Sequence, residues 1–264
     1  MSPNTPLVGQ VWPQGRPQAQ RTNRYRLALD PGSYSLVGSN SAVTSDAITP
    51  DPYFSSVVLL LDMEGPDGSG IFIDRSSGNK TATLVGSPTI VNTQARQGNT
   101  SFFANGGPYL EYSGSSDFTF PGDFTVECWV WGSSPQVTSY PTVFELGYYY
   151  DGLLFRPYHS GGGLWINGNP IGDFSTTDLP QQQWNHVAFV RSGSNIVCYI
   201  NGVSNKTATI GGSINSSSNA LRIASSTHTS GQNFKGYIDE FRITKGVARY
   251  TGTFTPPSEP FPLV

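Results

Sequence analysis

Residues 124–131 place Phe124, Val126, Cys128 and Val130 on one side of an extended chain and Thr125, Glu127, Trp129 and Trp131 on the other. A period of two is the period of a β-strand. Both sets are rich in apolar or aromatic residues, so this strand belongs inside a sheet that is covered on both faces. Similar runs recur at 57–62, 70–74, 81–85, 101–104, 109–112, 142–146, 152–156, 163–167, 184–191, 196–201, 207–210, 221–224 and 234–243, with Gly, Asn, Ser or Pro between them. About fourteen short strands spaced by turn residues predict an all-β chain folded as a two-sheet antiparallel sandwich. The 30 Gly and 20 Pro among 264 residues, with only 12% charged residues, exclude coiled coils and long helices. Turns are predicted at Gly193-Ser194 and at Asn201-Gly202, the latter a type I′ pair. A single helical turn is expected over 245–250, and an extended tail after it. In residues 237–242, strict alternation puts Tyr237, Asp239 and Phe241 on one face and Ile238, Glu240 and Arg242 on the other.

The chain divides into three parts. Residues 1–24 hold Pro3, Pro6, Pro13 and Pro17 and show no period of two or 3.6, so they cannot pack on themselves. Residues 25–52 read as a β-hairpin, with Tyr25, Leu27 and Leu29 turning at Asp30-Pro31-Gly32 into Tyr34 and Leu36, followed by a linker. Residues 53–264 carry the strands. The first 50 residues have four arginines against two aspartates, a net +2, whereas the remainder is net −5. The arm is either a loose end or an extended segment lying on a partner subunit, with Val8, Val11 and Trp12 as anchors beside Arg16 and Arg21; Trp favours interface centres.

A net charge of −3 gives no uniform basic field for a phosphate backbone, so bulk nucleic-acid binding is not expected. The longest apolar run, 57–61, is far shorter than the roughly 20 residues of a membrane helix, and the first residues have no signal-peptide core. Cys128 and Cys198 fall in strand-like runs and have no metal-ligand spacing; buried, reduced thiols are expected.

Six blocks together resemble a known family: DPYFSSVVLLLDMEG, the DRSSG turn, GNTSFFANGGPYLEY, SSDFTFPGDFTVECWVW, WNHVAFVRSGSNIVCYING and GYIDEFRITKGVARYTGTFTPPSEPFP. In this order, over about residues 53–262, they are similar to the LamG-like jelly roll of the concanavalin A-like lectin/glucanase superfamily. The version with DPYF at its start and ITKGVARYT near its end looks especially like domains of tailed-bacteriophage structural proteins. The segment LALDPGSYSLVGSNSAV is similar to a hairpin module of phage tail proteins. The fold class expected is therefore an all-β, two-sheet antiparallel jelly-roll sandwich with an extended N-terminal arm and β-hairpin.

Glucanase members of this superfamily carry a Glu-x-Asp-x-x-Glu strand, which places two carboxylates across the scissile bond. That string is missing. Glu127 and Asp239 have Trp129 and Phe241 at i+2, and Glu145 has Gly147, so no catalytic residue is assigned. His159, His186 and His228 are scattered, there is no Gly-x-Ser-x-Gly elbow, and His186 is expected in a framework role. Trp129 is expected to face the adjoining sheet.

Relatives hold calcium at the sandwich rim through aspartates and carbonyls, so the resemblance makes Ca²⁺ the one cofactor to weigh, on Asp62, Asp74 and Asp239; the alternative is that these and Asp67 shape turns. Tyr148, Tyr150, Tyr158, Trp165 and Asn167 form an aromatic and polar cluster on neighbouring predicted strands. It reads either as core or as a glycan or partner surface, since sugars stack on aromatic faces and bond to amides.

The function expected is a non-enzymatic virion structural protein, a tail appendage or a head decoration. It would be assembled in the bacterial host cytoplasm and exposed on the virion surface. Its partners would be other virion proteins through the arm, copies of itself as a trimer by family habit, and a host-surface glycan. A stand-alone carbohydrate-binding module is the rival; a glycoside hydrolase is the third reading.

Overall fold

The computed structural model describes residues 49–264 apart from 149, 159–162, 175–176, 216–219 and 228–230. The expected arm and hairpin, with Val8, Val11, Trp12, Arg16 and Arg21, lie outside the described residues. Residues 46–264 form one compact unit.

Among the described residues the chain forms fifteen strands and two single 3₁₀ turns. The strands are β1 (Val57–Leu61), β2 (Thr83–Val85), β3 (Thr89–Val91), β4 (Ser101–Asn105), β5 (Tyr109–Tyr112), β6 (Phe124–Gly132), β7 (Phe144–Tyr148), β8 (Asp151–Phe155), β9 (Leu164–Ile166), β10 (Asn169–Gly172), β11 (Trp184–Ser192), β12 (Asn195–Ile200), β13 (Val203–Thr209), β14 (Leu221–Ile223) and β15 (Lys235–Lys245). Two antiparallel sheets result, as expected. The larger runs β13-β12-β11-β6-β15-β4-β3, with β1 also paired to β15, and the smaller runs β10-β9-β8-β7-β14-β5-β2. The central position of β6 follows from its sequence: Phe124, Val126, Cys128 and Val130 enter the core between the sheets. There they meet a knot of rings in which Phe144 lies 5.3 Å from Phe189 and 5.6 Å from Phe241, and Phe155 lies 4.9 Å from Phe189. Edge-to-face pairs of this kind fix the two sheets against each other.

Several details depart from the sequence expectations. Trp129 does not face the other sheet. It lies on the outer face of the larger sheet, edge-on to His186, with the Arg96 guanidinium 4.0 Å above its ring. Phe241 does not share a face with Tyr237: Ile238, Phe241 and Ile243 all point into the core. The register shifts between Asp239 and Arg242, and Glu240 takes a positive φ of 50°. This bulge inserts an extra residue and flips the alternation downstream. Residues 245–250 are not helical, because Thr125 takes their backbone groups: its hydroxyl donates to Val247 O and accepts from Arg249 N. Residues 70–74 form only one bridge, Asp74 with Leu61, as the Asp74 carboxylate gathers the Leu60, Ser76 and Lys80 amides into a turn. Strands β3 and β10, of three and four residues, are not among the expected runs. The predicted turns hold: Ser192 pairs with Asn195, and Asn201 and Gly202 both have positive φ.

The segment after β15 folds back over the outer face of the larger sheet rather than trailing away. Phe261 is buried with Val57 and Leu60, and Phe254 stacks on Tyr250 and contacts Tyr199 and His186. Gly202 is required beneath it, since a Cβ there would meet the Phe254 carbonyl oxygen at 1.8 Å. Beneath the segment lies a buried ion cluster. Arg242 donates to Glu127 Oε1 at 2.9 and 2.7 Å and to Asp51 at 3.2 Å. Arg249 grips Asp51 in bidentate fashion at 3.0 and 2.7 Å, and Tyr250 Oη donates to Glu127 Oε2 at 2.8 Å. Burial alone would raise the Glu127 carboxyl, but Arg242, His186 and Arg249 hold it well below the usual carboxylate range.

Removing one partner of such a cluster leaves a buried charge unmatched. Glu127→Gln should therefore destabilise the fold by about 3–5 kcal/mol, read as a lower urea midpoint at pH 7. Because the folded carboxyl is depressed, its contribution is complete above the ordinary value of 4.5 and is lost as pH falls below it. The wild-type midpoint should decline through that acid range, and the variant's should decline less.

Candidate functional site

The larger sheet is largely roofed by the segment after β15, which leaves the outer face of the smaller sheet as the place to look for a site. In β7, β8, β9, β14 and β5 the core takes Phe144, Leu146, Leu153, Phe155, Leu164, Ile166, Leu221, Ile223, Leu110 and Tyr112. Alternation sends their neighbours outward. Strand register then aligns one row across the sheet: Trp165 beside Leu154, Leu154 beside Glu145, Glu145 beside Arg222, Arg222 beside Glu111.

The row grades from aromatic to ionic. At one end the Arg156 guanidinium lies 5.3 Å from the Tyr140 ring centre and 5.8 Å from that of Trp165. Tyr140 is 41% exposed, whereas Arg156 is buried, so the cation holds two rings in place from beneath rather than reaching into solvent. At the other end Arg222 pairs with Glu111 at 2.5 Å, donates to Ser226 O at 2.8 Å and lies over Tyr109. Between them Glu145 is fully buried. Its Oε2 accepts from the Ser226 hydroxyl at 2.8 Å and from the Thr227 amide, while its Oε1 has no donor among the described residues. Rings held by an immobile guanidinium make a preorganised stacking surface, and the ionic end supplies fixed donors and acceptors.

The structure divides the cluster expected from sequence. Trp165 stands on the outer face. Tyr148 and Tyr150, 40% and 66% exposed with ring centres 6.1 Å apart, sit at the β7–β8 hairpin. Asn167 turns β9 into β10 with a positive φ, and its amide donates to Gly152 O, which brings it to the same end of the sheet. Tyr158 is withdrawn from them. It stacks on Phe234 and lies so close to Gly132 that a Cβ there would meet its ring at 2.3 Å; burial pushes its hydroxyl pKa up. Arg156 follows the Gly152, Leu154, Arg156 alternation and was legible in principle. Tyr140, on a loop between strands, had no periodic signal.

The remaining candidates have structural partners. Asp62 pairs with Arg75 at 2.9 Å, and Asp74 holds the turn already described. Asp239 accepts from the Arg96, Gln97 and Glu240 amides; burial outweighs these and pushes its carboxyl up to about 8. Among the described residues no three His, Cys, Asp or Glu side chains come together as a metal ion would need. His186 is buried with Nε2 3.3 Å from Glu127. Cys128 and Cys198 are free and buried, and burial raises both thiols.

Comparison with known proteins bears on the fold. Domain 4 of AbnA, a GH43 extracellular arabinanase from Geobacillus stearothermophilus, solved in complex with arabinotriose, superposes with a TM-score of 0.55 at 20% identity, over 76% of this chain and 95% of that one. The binding domain of Paraclostridial Mosquitocidal Protein 1 gives 0.53 at 15% identity, over 73% of this chain and 49% of that one. The botulinum neurotoxin serotype D binding domain gives 0.50 at 11%, over 74% and 49%. At these identities the likeness is one of fold. No curated relative matches the chain. Residues 103–249, more than half of the chain, match the Laminin_G_3 family model, so the chain belongs to the concanavalin A-like lectin/glucanases superfamily.

Proposed function

We propose that this chain is a non-enzymatic structural protein of a tailed-phage virion whose jelly roll binds a host-surface glycan. The observation that carries the glycan half is the pair of rings, Tyr140 and Trp165, clamped by buried Arg156 on the outer face of the smaller sheet. Membership of a lectin superfamily agrees with it, as does the arabinotriose bound in the arabinanase domain of like fold. The phage half rests on the DPYF and ITKGVARYT blocks and on the basic, proline-rich arm. In this reading the protein sits on the virion surface after assembly in the bacterial cytoplasm. The arm docks it to other virion proteins, tail or head, and copies associate as a trimer.

A binding role without hydrolysis fits the carboxylates. Glu127 is sealed in the ion cluster, Glu111 is paired with Arg222, and Glu145 is buried and bonded to a loop. The rival, a stand-alone carbohydrate-binding module, draws on the arabinanase domain, which this chain covers over 95% of its length.

Two experiments test the halves separately. On a glycan array the full chain should give a specific neutral-sugar hit. Trp165→Ala should weaken it tenfold or more, since loss of an aromatic anchor typically costs about 2 kcal/mol, with no change in melting temperature. Equal binding by the variant would remove the site. Deletion of residues 1–24 should leave a folded jelly roll that no longer enters particles; normal incorporation would refute the anchoring role and favour the rival.

A further inference from the structure

A second surface lies on the larger sheet, beyond the edge of the roof. Strand register sets four rings side by side on four adjacent strands: Phe103 on β4 faces Tyr237 on β15, Tyr237 faces Trp131 on β6, and Trp131 faces Trp184 on β11. All four point away from the core, because Phe102, Ile238, Val130 and Val187 point into it. Phe103 stacks on Tyr237 at 4.9 Å, and Trp131 meets Trp184 edge-on at 6.0 Å. Each ring is half-buried, so each still presents surface to solvent. Three strand spacings make the row about 14 Å long.

Two cations flank this row. Arg96 lies over Trp129, two residues along β6 from Trp131 and on the same face. Lys235 precedes Tyr237 by two residues on the outer face of β15. Among the described residues neither forms an ion pair, and no acceptor engages the Arg96 guanidinium. The carboxyl that acts on Arg96, Asp239, is buried, with its oxygens bonded to backbone amides. In a chain of net charge −3, two cations with no ion-pair partner among the described residues, set beside four aligned rings, are a local reversal of sign.

The geometry points to a binding site for a carboxylate-bearing polysaccharide, with sugar rings stacked along Tyr237, Trp131 and Trp184 and carboxylates paired to Arg96 and Lys235. Aromatic faces accept the C–H faces of pyranose rings, and a guanidinium takes a carboxylate with two donors. A nucleic-acid strand would use the same two elements, but two cations in an acidic chain are few for a phosphate backbone. This site is separate from the Trp165 surface and does not depend on it.

The test is titration of the full chain with polygalacturonate, with dextran and oligothymidylate as comparisons, in about 50 and about 500 mM NaCl, a range over which the Debye length shrinks severalfold. Polygalacturonate should bind, dextran should not compete for this site, and binding should weaken tenfold or more in high salt. The double variant Arg96→Gln/Lys235→Gln should lose at least tenfold with an unchanged melting temperature, while Trp165→Ala should bind polygalacturonate normally. No binding by the wild type, salt-independent binding, equal binding by the double variant, loss on Trp165→Ala, or equal affinity for oligothymidylate would each overturn the assignment. If the double variant does not fold, the salt series on the wild type and the oligothymidylate comparison still decide it.

Discussion

The contact on which the rest of the structure depends is the buried pair of Glu127 and Arg242, on the outer face of the two most central strands, β6 and β15. A carboxylate and a guanidinium buried on adjacent central strands must be supplied with every missing partner, or their desolvation would destabilise the sheet. Asp51, Arg249 and Tyr250 supply those partners from the segments before β1 and after β15. The same bonds tie both flanks of the domain to its centre; the Asp51 amide donates to Val264 O at 2.7 Å. The ion cluster is thus a clasp, and the roof over the larger sheet is its consequence.

The clasp divides the two outer faces. Over the larger sheet it brings Phe254, Tyr250 and Phe261 down onto Tyr199, His186 and Leu60, and it stops short of the row from Phe103 to Trp184. On the smaller sheet the outward row from Trp165 to Glu111 is organised by local devices: a cation beneath two rings, an ion pair, and a loop bonded to Glu145. Immobile donors and rings of this kind lose little entropy on binding. The contrast explains why aromatic residues appear in three settings in one chain, as interdigitated core, as roof and as open row.

The bulge at Asp239 and Glu240 shows how far a local irregularity reaches. Without the extra residue, Phe241 would leave the ring knot at Phe144 and Arg242 would enter the core, because side chains along a regular strand alternate between its faces. With it, one strand serves two faces in the right order: Tyr237 outward, Ile238 inward, then Phe241 inward and Arg242 outward beside Glu127. The buried Asp239, held by the amides of Arg96 and Gln97, anchors the loop that carries Arg96 over Trp129.

Alternation and turn residues decided most of the architecture in advance. The period of two in β6, β11 and β12, the Asn201-Gly202 and Gly193-Ser194 turns, and the six family blocks were sufficient for an all-β two-sheet sandwich. These are local properties, governed by backbone sterics and by which side of a strand is apolar. What the pattern could not contain was any choice that depends on a distant partner. Trp129 and Trp165 have the same character in sequence, yet one is roofed by Arg96 and buried while the other lies half-buried against Arg156. Tyr158 sits among candidate surface residues in the sequence and packs against the core in the fold, because Gly132, on β6, leaves room for its ring. Residues 245–250 have a helical look that Thr125, more than a hundred positions away, cancels by taking their hydrogen bonds. Which strands exist was written in the sequence; which aromatic rings meet solvent was decided only when strands far apart in the chain came into register.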